Sequence, residues 1–550
     1  MDSRLILAIA LAFGFLLFYQ QVVLKRLYPP PAHKAPATVK ASPGGTPQTG
    51  PGAEAAARAA TSALPSAAVP AAAVRTVEVE TNLYDAQFTT AGGRLKSFKL
   101  KRYHQTAAPN SPYYQMVRAL PGERLPLGLV VDTASGQSWD DRSLIYRTSS
   151  PDYLKAFPGH PATLTLAGRT ADGLSITKSF TFRDSSYVFD VSAAVAGPKP
   201  SRIGLTLNQP LAQLPGYRDY PEVQALVGGK ALTEMEKALR KGVVPVEGKI
   251  TYAGFGDRYF LTAVLPGETT PATLAMGFAG GEANVRLLFS GQDRLSAGFY
   301  LGPKEVDVLE AVNPQLSRAI DFGWTGWFAL PFLRGLKLIH RLTPNWGVDI
   351  ILFTVLLRLL MLPLSIKSQR SMIRLQRLQP QVQRIRDKFK DDTERLNREM
   401  MDLYKRNHVN PLGGCLPTAI QFPIFIGLYE ALLNTAELRH APFALWIRDL
   451  SAPDCFPVSW MPRLPLMSCR GIPVLVLMMG LSTYVQQWMS PAAPDPTQQR
   501  MMMLMPIMFT VLLVNFPAGL SLYYFASNVL GIIQQFILNR EFKQAVPVSV

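Results

Sequence analysis

One cation in this chain stands where a cation is expensive. Arg358 lies within Thr354-Val355-Leu356-Leu357-Arg358-Leu359-Leu360, near the middle of an apolar stretch from Val348 to Ile366. Placing an arginine at the centre of a membrane helix costs about 2.5–3.5 kcal/mol on insertion scales, so its guanidinium is expected in a watery or protein-lined cavity. Such a group can hydrate a groove and attract a carboxylate through a lowered dielectric. Polar company on the other apolar stretches comes from Gln421, Glu430, Ser482, Gln486, Gln487, Asn528, Gln534 and Gln535. Two arrangements are open: a wet functional cavity, or a buried Arg358–Glu430 ion pair that ties two helices together. The first is favoured because one carboxylate leaves several guanidinium donors unsatisfied. A proton pump would use a chain of titratable groups, and Glu430 is the one acid expected near mid-span.

The elements that must hold Arg358 follow from composition and hydropathy. The 550 residues carry 56 Lys plus Arg against 39 Asp plus Glu, a net +17, yet only 17% are charged and 48% are hydrophobic. With a mean hydropathy of +0.10, the chain is basic but apolar. That argues against a DNA-binding protein and against a disordered one. Three cysteines, Cys415, Cys455 and Cys469, exclude a disulfide scaffold, and none has the spacing of a zinc site. No cofactor or metal is expected, and no glycine loop precedes a Lys-Ser/Thr pair that would cradle a nucleotide.

Six segments approach the roughly 20 apolar residues of a span: Leu5 to Leu24, Val348 to Ile366, Leu416 to Ala436, Ile472 to Met489, Met501 to Phe516 and Leu520 to Leu538. The first reads as an uncleaved anchor, since Lys25 and Arg26 follow it without a small-residue cleavage pattern. Between the second and third, the 367–414 loop holds twelve cations against six acids, which places it in the cytoplasm with both termini. Arg4, outweighed by Lys25 and Arg26, points the other way, and the larger loop decides. Its apolar residues, among them Leu375, Val382, Ile385, Leu396 and Leu403, have helical spacing on either side of Asp391-Asp392-Thr393, a helical hairpin. Its cations suit lipid headgroups, ribosomal RNA or a protein, although interleaved acids also fit a merely solvated face.

The region outside divides by pattern. Residues 29–76 are rich in Pro and Ala and read as a disordered tether after the 1–28 anchor. Residues 77–320 alternate with period two, as in Ile203, Leu205 and Leu207 or Val285, Leu287 and Phe289, and predict an all-β sandwich. A hairpin sets Phe180 and Phe182 against Tyr187, Phe189 and Val191, and Leu232 to Leu239 reads as a short helix. His104, His160, Asp140 and Asp141 have no spacing that joins them into a site and read as solvated loop residues. Residues 321–346 predict an interfacial helix, with Arg334, Lys337 and Arg341 on one face and Phe332, Leu336 and Ile339 on another. The alternative is a helix packed on the sandwich. Methionines cluster at Met478, Met479 and Met489 and at Met501 to Met508, suited to a promiscuous apolar site or simply to membrane helices.

Asn410-Pro411-Leu412-Gly413-Gly414-Cys415, then Pro417, Gln421 and Pro423, then Ala441-Pro442-Phe443-Ala444-Leu445-Trp446-Ile447 resemble the conserved region of YidC-type membrane protein insertases. Met489-Ser490-Pro491, Asp495-Pro496, Gln498-Gln499, Phe516-Pro517-Ala518-Gly519-Leu520, Tyr523-Tyr524 and Ser527-Asn528 continue the resemblance in order. It implies a polytopic α-helical membrane protein of six transmembrane helices, with a supersandwich-like periplasmic β-domain and a cytoplasmic helical hairpin. The five-helix core would span 347–540, followed by a short tail, 541–550. The implied work is to accept nascent membrane proteins in a groove at Arg358 and release them to the lipid bilayer, alone or with the Sec translocon, without covalent catalysis. Thr354, Phe425 and Tyr524 would line the substrate path, with Gln421 beside them. Glu430 departs from the family pattern, and either clamps Arg358 or alters charge preference. Because the tail carries only Arg540 and Lys543 against Glu541, ribosome contact is expected of the 367–414 hairpin. Cys455 and Cys469 share an outside loop where a disulfide is permitted. Two rivals stay open: a small-anion transporter or channel using Arg358, and a sugar-binding or enzymatic sandwich.

Overall fold

The computed structural model describes residues 74–544 apart from 120–123, 134–137, 171–172, 198–199, 211–221, 235–243, 247, 268–271, 280–281, 390–391, 410–415, 461–466, 468–469 and 491–495. The anchor, almost all of the tether, and the motif residues at 410–415 and 491–495 lie outside the described residues.

Period-two alternation builds three sheets. In the six-stranded sheet, Pro200–Pro210 runs antiparallel to Glu282–Ser290, with Ile203 opposite Phe289 and Leu205 opposite Leu287, all buried. The eight-stranded sheet contains the expected hairpin, Ser175–Phe182 with Val188–Ala196, in which Val191 faces Phe180. The five-stranded sheet closes with a parallel pairing of Thr76–Glu80 and Tyr153–Lys155. Its Phe88 meets Phe180 and Phe182 of the eight-stranded sheet, with ring centroids 4.8 and 5.4 Å apart, so one aromatic core joins two layers.

Two expectations fail here. Leu232 lies in a strand, Lys230–Glu234, because the Gly228-Gly229 turn, at φ +56° and +76°, folds it back on Glu222–Val227. The rest of that predicted helix is outside the described residues. Asp141 is fully buried instead of solvated. Lys178 Nζ lies 2.5 Å from Asp141 Oδ2 and donates to the carbonyls of Gly92, Gly93 and Leu127. Arg94 Nη2 pairs with Asp140 at 2.5 Å and with Asp141 at 3.0 Å. Arg94, Lys178 and Asp140 belong to three different sheets, so this ion network ties the layers together. Lys178 occupies an inward position, in register with Ile176 and Phe180, and its burial forces a counter-charge. His104 Nδ1 contacts the Ser111 carbonyl at 2.8 Å, and His160 is exposed.

Helices follow: α1 (Val306–Val312), α2 (Gly326–His340), α3 (Trp346–Arg377), α4 (Gln379–Lys388), α5 (Thr393–Arg406), α6 (Leu416–Leu433), α7 (Val474–Met489), α8 (Pro496–Leu513) and α9 (Ala518–Gln544). Asn345 caps α3 by accepting from Gly347 N at 2.9 Å. This helix runs past the expected end at Ile366 into the basic loop, and α4 restarts with Pro380 in its first turn. Asp392 caps α5 through Arg395 N at 3.0 Å, and Leu375, Leu378, Val382, Tyr404 and Val409 hold the hairpin together. Among the described residues, α3 is the one helix long and apolar enough by itself to cross a membrane. Helices α6 to α9 occupy the other four expected segments after Val348.

Helix α2 packs inward through Ala329, Leu333 and Leu336 and leaves Trp327 and Leu338 exposed. Its cationic face is partly consumed: Lys337 Nζ lies 2.6 Å from Glu437 and 2.9 Å from Asp307. Arg439, from the loop after α6, donates to the His104 carbonyl at 2.6 Å and lies over the Tyr114 ring at 4.8 Å. The loop is thereby anchored in the sandwich.

Candidate functional site

Helix α3 turns Ile350, Thr354 and Arg358 to one side at four-residue spacing, while Leu352, Leu356, Leu359 and Leu360 are exposed on the other. The guanidinium therefore enters the helix cluster instead of leaving it. Arg358 Nε donates to Ser527 Oγ of α9 at 2.9 Å. Across the same cavity, Gln421 Nε2 of α6 donates to Tyr523 Oη of α9 at 2.5 Å. Thr354, Leu357, Met361 and Ile424 complete the walls. The open space is ≈ 10 Å³, about room for one water.

Glycine makes room for the cation. A Cβ at Gly531, one turn beyond Ser527, would lie 3.2 Å from Arg358 Nη2 and 2.4 Å from Gln486 Nε2 of α7. Four helices thus supply the surroundings of the guanidinium, and three of their contributions are neutral polar groups. Among the described residues, no carboxylate lies within ion-pair distance of Arg358. Ser527 is buried, and Asn528 beside it donates to Thr483 Oγ1 at 2.7 Å and Ser482 Oγ at 3.0 Å, locking α9 to α7.

The structure divides the expected site residues. Thr354 and Gln421 share the cavity with Arg358, although the Thr354 hydroxyl is spent on the Ile350 carbonyl at 2.6 Å. Phe425 and Tyr524 form a separate aromatic patch, edge to face with centroids 6.1 Å apart and with Phe509 of α8 stacked on Tyr524 at 6.5 Å. Tyr523 and Tyr524, adjacent in sequence, diverge because successive helical residues point about 100° apart. Glu430 does not join either group. It lies in the last turn of α6, where its carboxylate accepts from Asn434 Nδ2 at 2.9 Å, and Asn434 also reaches the Asp321 carbonyl. The Arg358–Glu430 pair does not form: the α6 residues beside Arg358 are Gln421 and Ile424, more than one turn before Glu430, whose carboxylate is taken by Asn434.

Sequence reasoning missed Tyr523, Ser527 and Gly531 as partners of Arg358. Their four-residue spacing, ending in two small residues, was a readable signal of a face that admits a large side chain. Met479 is buried in the helix core, whereas Met478 and Met505 are exposed, so the methionines do not form one lining. Cys455 is disulfide-bonded; Cys415 and Cys469 both lie outside the described residues.

Fold and site together define a helical core with an arginine between apolar helices, fused to a β-sandwich. A family model described as 60Kd inner membrane protein matches residues 338–545, and one described as YidC periplasmic domain matches residues 76–334. Membrane protein insertase YidC of Geobacter sulfurreducens is 36% identical over 483 residues, covering 85% of this chain and 86% of the relative. That of Geotalea uraniireducens is 34% identical over 563 residues, covering 98% and 99%. A crystal structure of an active YidC insertase with its first transmembrane domain resolved aligns at 17% identity and TM-score 0.36, covering 84% of this chain and 92% of that one. A galactose mutarotase-like protein from Lactobacillus casei aligns at 10% identity and TM-score 0.28, covering 41% of this chain and all of that one. The chain belongs to the YidC family of membrane protein insertases, in the form that carries a periplasmic β-domain.

Proposed function

We propose that this protein receives nascent transmembrane segments beside Arg358 and releases them into the inner membrane, by itself or with the Sec translocon, and without covalent catalysis. The observation that carries the proposal is a guanidinium held between helices by neutral partners, with its charge uncompensated among the described residues. That charge attracts the acidic outward-bound end of a short client, and transfer of the client's apolar segment into lipid drives completion. The cavity of ≈ 10 Å³ holds no helix, so a client lies against the cluster and the helices part to let its tail pass. The same small volume weighs against a continuous path for a small anion.

In this reading the chain is a six-span inner-membrane protein of a Gram-negative cell, with both termini cytoplasmic, and the hairpin at 367–414 meets the ribosome. Photocrosslinking from Thr354, Phe425 and Tyr524 during synthesis of a short single-span client tests it. Adducts to the apolar segment are expected, strongest from the aromatic patch. Absence of adducts at all three, with a working control partner, refutes it.

A further inference from the structure

Helix α6 is held unevenly along its length. From Ile424 onward it is seated on both sides. Ile424, Leu428 and Leu432 are buried in one cluster with Leu336 of α2 and Leu520 of α9, while Ala431, and Ala436 just beyond the helix, join Ala329 and Leu333 of α2 in the core of the sandwich. A Cβ at Gly427 would lie 2.8 Å from Phe328 Cβ, so α2 and α6 meet almost backbone to backbone. Past the helix end, Glu437 pairs with Lys337 of α2 at 2.6 Å and Arg439 enters the sandwich. Before Pro423 this seating is lost. Ala419 is exposed, Phe422 is 64% exposed, and Ile420 and Gln421 are half-buried. This part of the helix reaches across the Arg358 cavity through the hydrogen bond from Gln421 Nε2 to Tyr523 Oη of α9.

The change in seating falls at a proline inside the helix. Pro423 has no N–H to donate to the Ala419 carbonyl, and its ring crowds that carbonyl, so the helical ladder is interrupted there. Helices bend at such points. The α6 residues that line the cavity, Gln421 and Ile424, lie on either side of the interruption. Ile424 is fixed with the seated part, and Gln421 belongs to the other. Rotation about Pro423 therefore withdraws Gln421 and uncovers Arg358, and the contacts of α6 with α2 and the sandwich stay as they are.

We propose that Leu416–Phe422 is a flap over the Arg358 cavity, hinged at Pro423 and latched to α9 by the Gln421–Tyr523 hydrogen bond. The inference rests on the reading that a client's tail passes beside Arg358, and it says which contact yields. Gln421 and Tyr523 are then positioning residues: they set how readily the guanidinium is uncovered and need not touch the client. In the latched state the cavity has about room for one water, which keeps the charge covered between clients.

The test is the rate at which a small water-soluble methanethiosulfonate labels Leu357→Cys, in the cavity wall, in full-length Cys415→Ser protein in proteoliposomes. Rates are taken above those of protein without the probe cysteine. Tyr523→Phe removes the latch and should speed labelling about fivefold, the weight of one neutral hydrogen bond in an equilibrium. Pro423→Ala restores the missing donor and should slow it with the latch intact. A control probe, Val476→Cys, in the buried contact of α7 with α8, should stay unlabelled in both. An unchanged rate in Tyr523→Phe overturns the latch, and an unchanged or faster rate in Pro423→Ala overturns the hinge. Labelling of Val476→Cys in Tyr523→Phe makes the effect a general loosening of the helices and overturns the flap. Because no client is present, these outcomes are independent of whether client photocrosslinks form.

Discussion

Charge removal at Arg358 should separate clients by the charge of their translocated tails. The guanidinium donates one hydrogen bond to Ser527, and no carboxylate among the described residues neutralises it, so its field is available to a passing group. At a separation of about 8 Å and an effective dielectric of about 20, one carboxylate gains about 2 kcal/mol, or about thirtyfold in occupancy. Arg358→Gln should therefore slow insertion of a client with one acidic tail residue by roughly that factor, and a neutral-tailed client little. Arg358→Lys keeps the charge but loses the Nε bond to Ser527 and the planar fork, and should retain part of the activity. The assay is protease protection of single-span clients in proteoliposomes of purified protein, with tails differing only in the number of acids. Equal impairment of neutral and acidic tails refutes the attraction mechanism, as does full activity of Arg358→Gln.

Glu430→Gln should leave this dependence on tail charge unaltered, since its carboxylate is occupied by Asn434; a changed dependence in the same assay counts against the geometry. Lys178→Met leaves Asp141 buried without its nearest cation and should destabilise the sandwich by about 3–5 kcal/mol. Faster hydrogen exchange in Ser175–Phe182 reads this out, and unchanged exchange contradicts it. At the seam between α1 and α2, burial, reinforced by Glu437, pushes the Glu305 carboxyl from 4.5 to about 7. An acid raised in the fold binds its proton more tightly there than when unfolded, so the seam is firmest below about pH 4.5 and loosens as pH rises through about 7. Exchange of α1, corrected for intrinsic rates, should show this loss, and Glu305→Gln should flatten the profile.

Much of the architecture was legible because short-range periodicity encodes it. Alternation in Ile203, Leu205 and Leu207 defined a buried strand face, and apolar length marked the helix around Arg358. The cost of a mid-helix arginine singled out that residue before any contact was known, and the ordered motifs from Pro417 to Asn528 carried the family. Boundaries were less legible. Nothing local stops α3 at Ile366, since the following residues keep helical propensity and hydrogen bonds continue whether lipid or water surrounds them.

The sequence by itself determined that a guanidinium must be sheltered, that a β-domain precedes the helices, and that a basic hairpin interrupts them. Only the tertiary structure decided which groups do the sheltering. Ser527 lies 169 positions from Arg358, and Tyr523 lies 102 from Gln421, and nothing in a one-dimensional pattern ranks such pairs against Glu430. Asp141 makes the same point: as a loop residue it resembled any solvated acid, until Arg94 and Lys178 from two other sheets converged on it. Periodicity tells each element which face to bury, but the partner of a buried charge depends on how distant faces meet, and that is settled only when the whole chain packs.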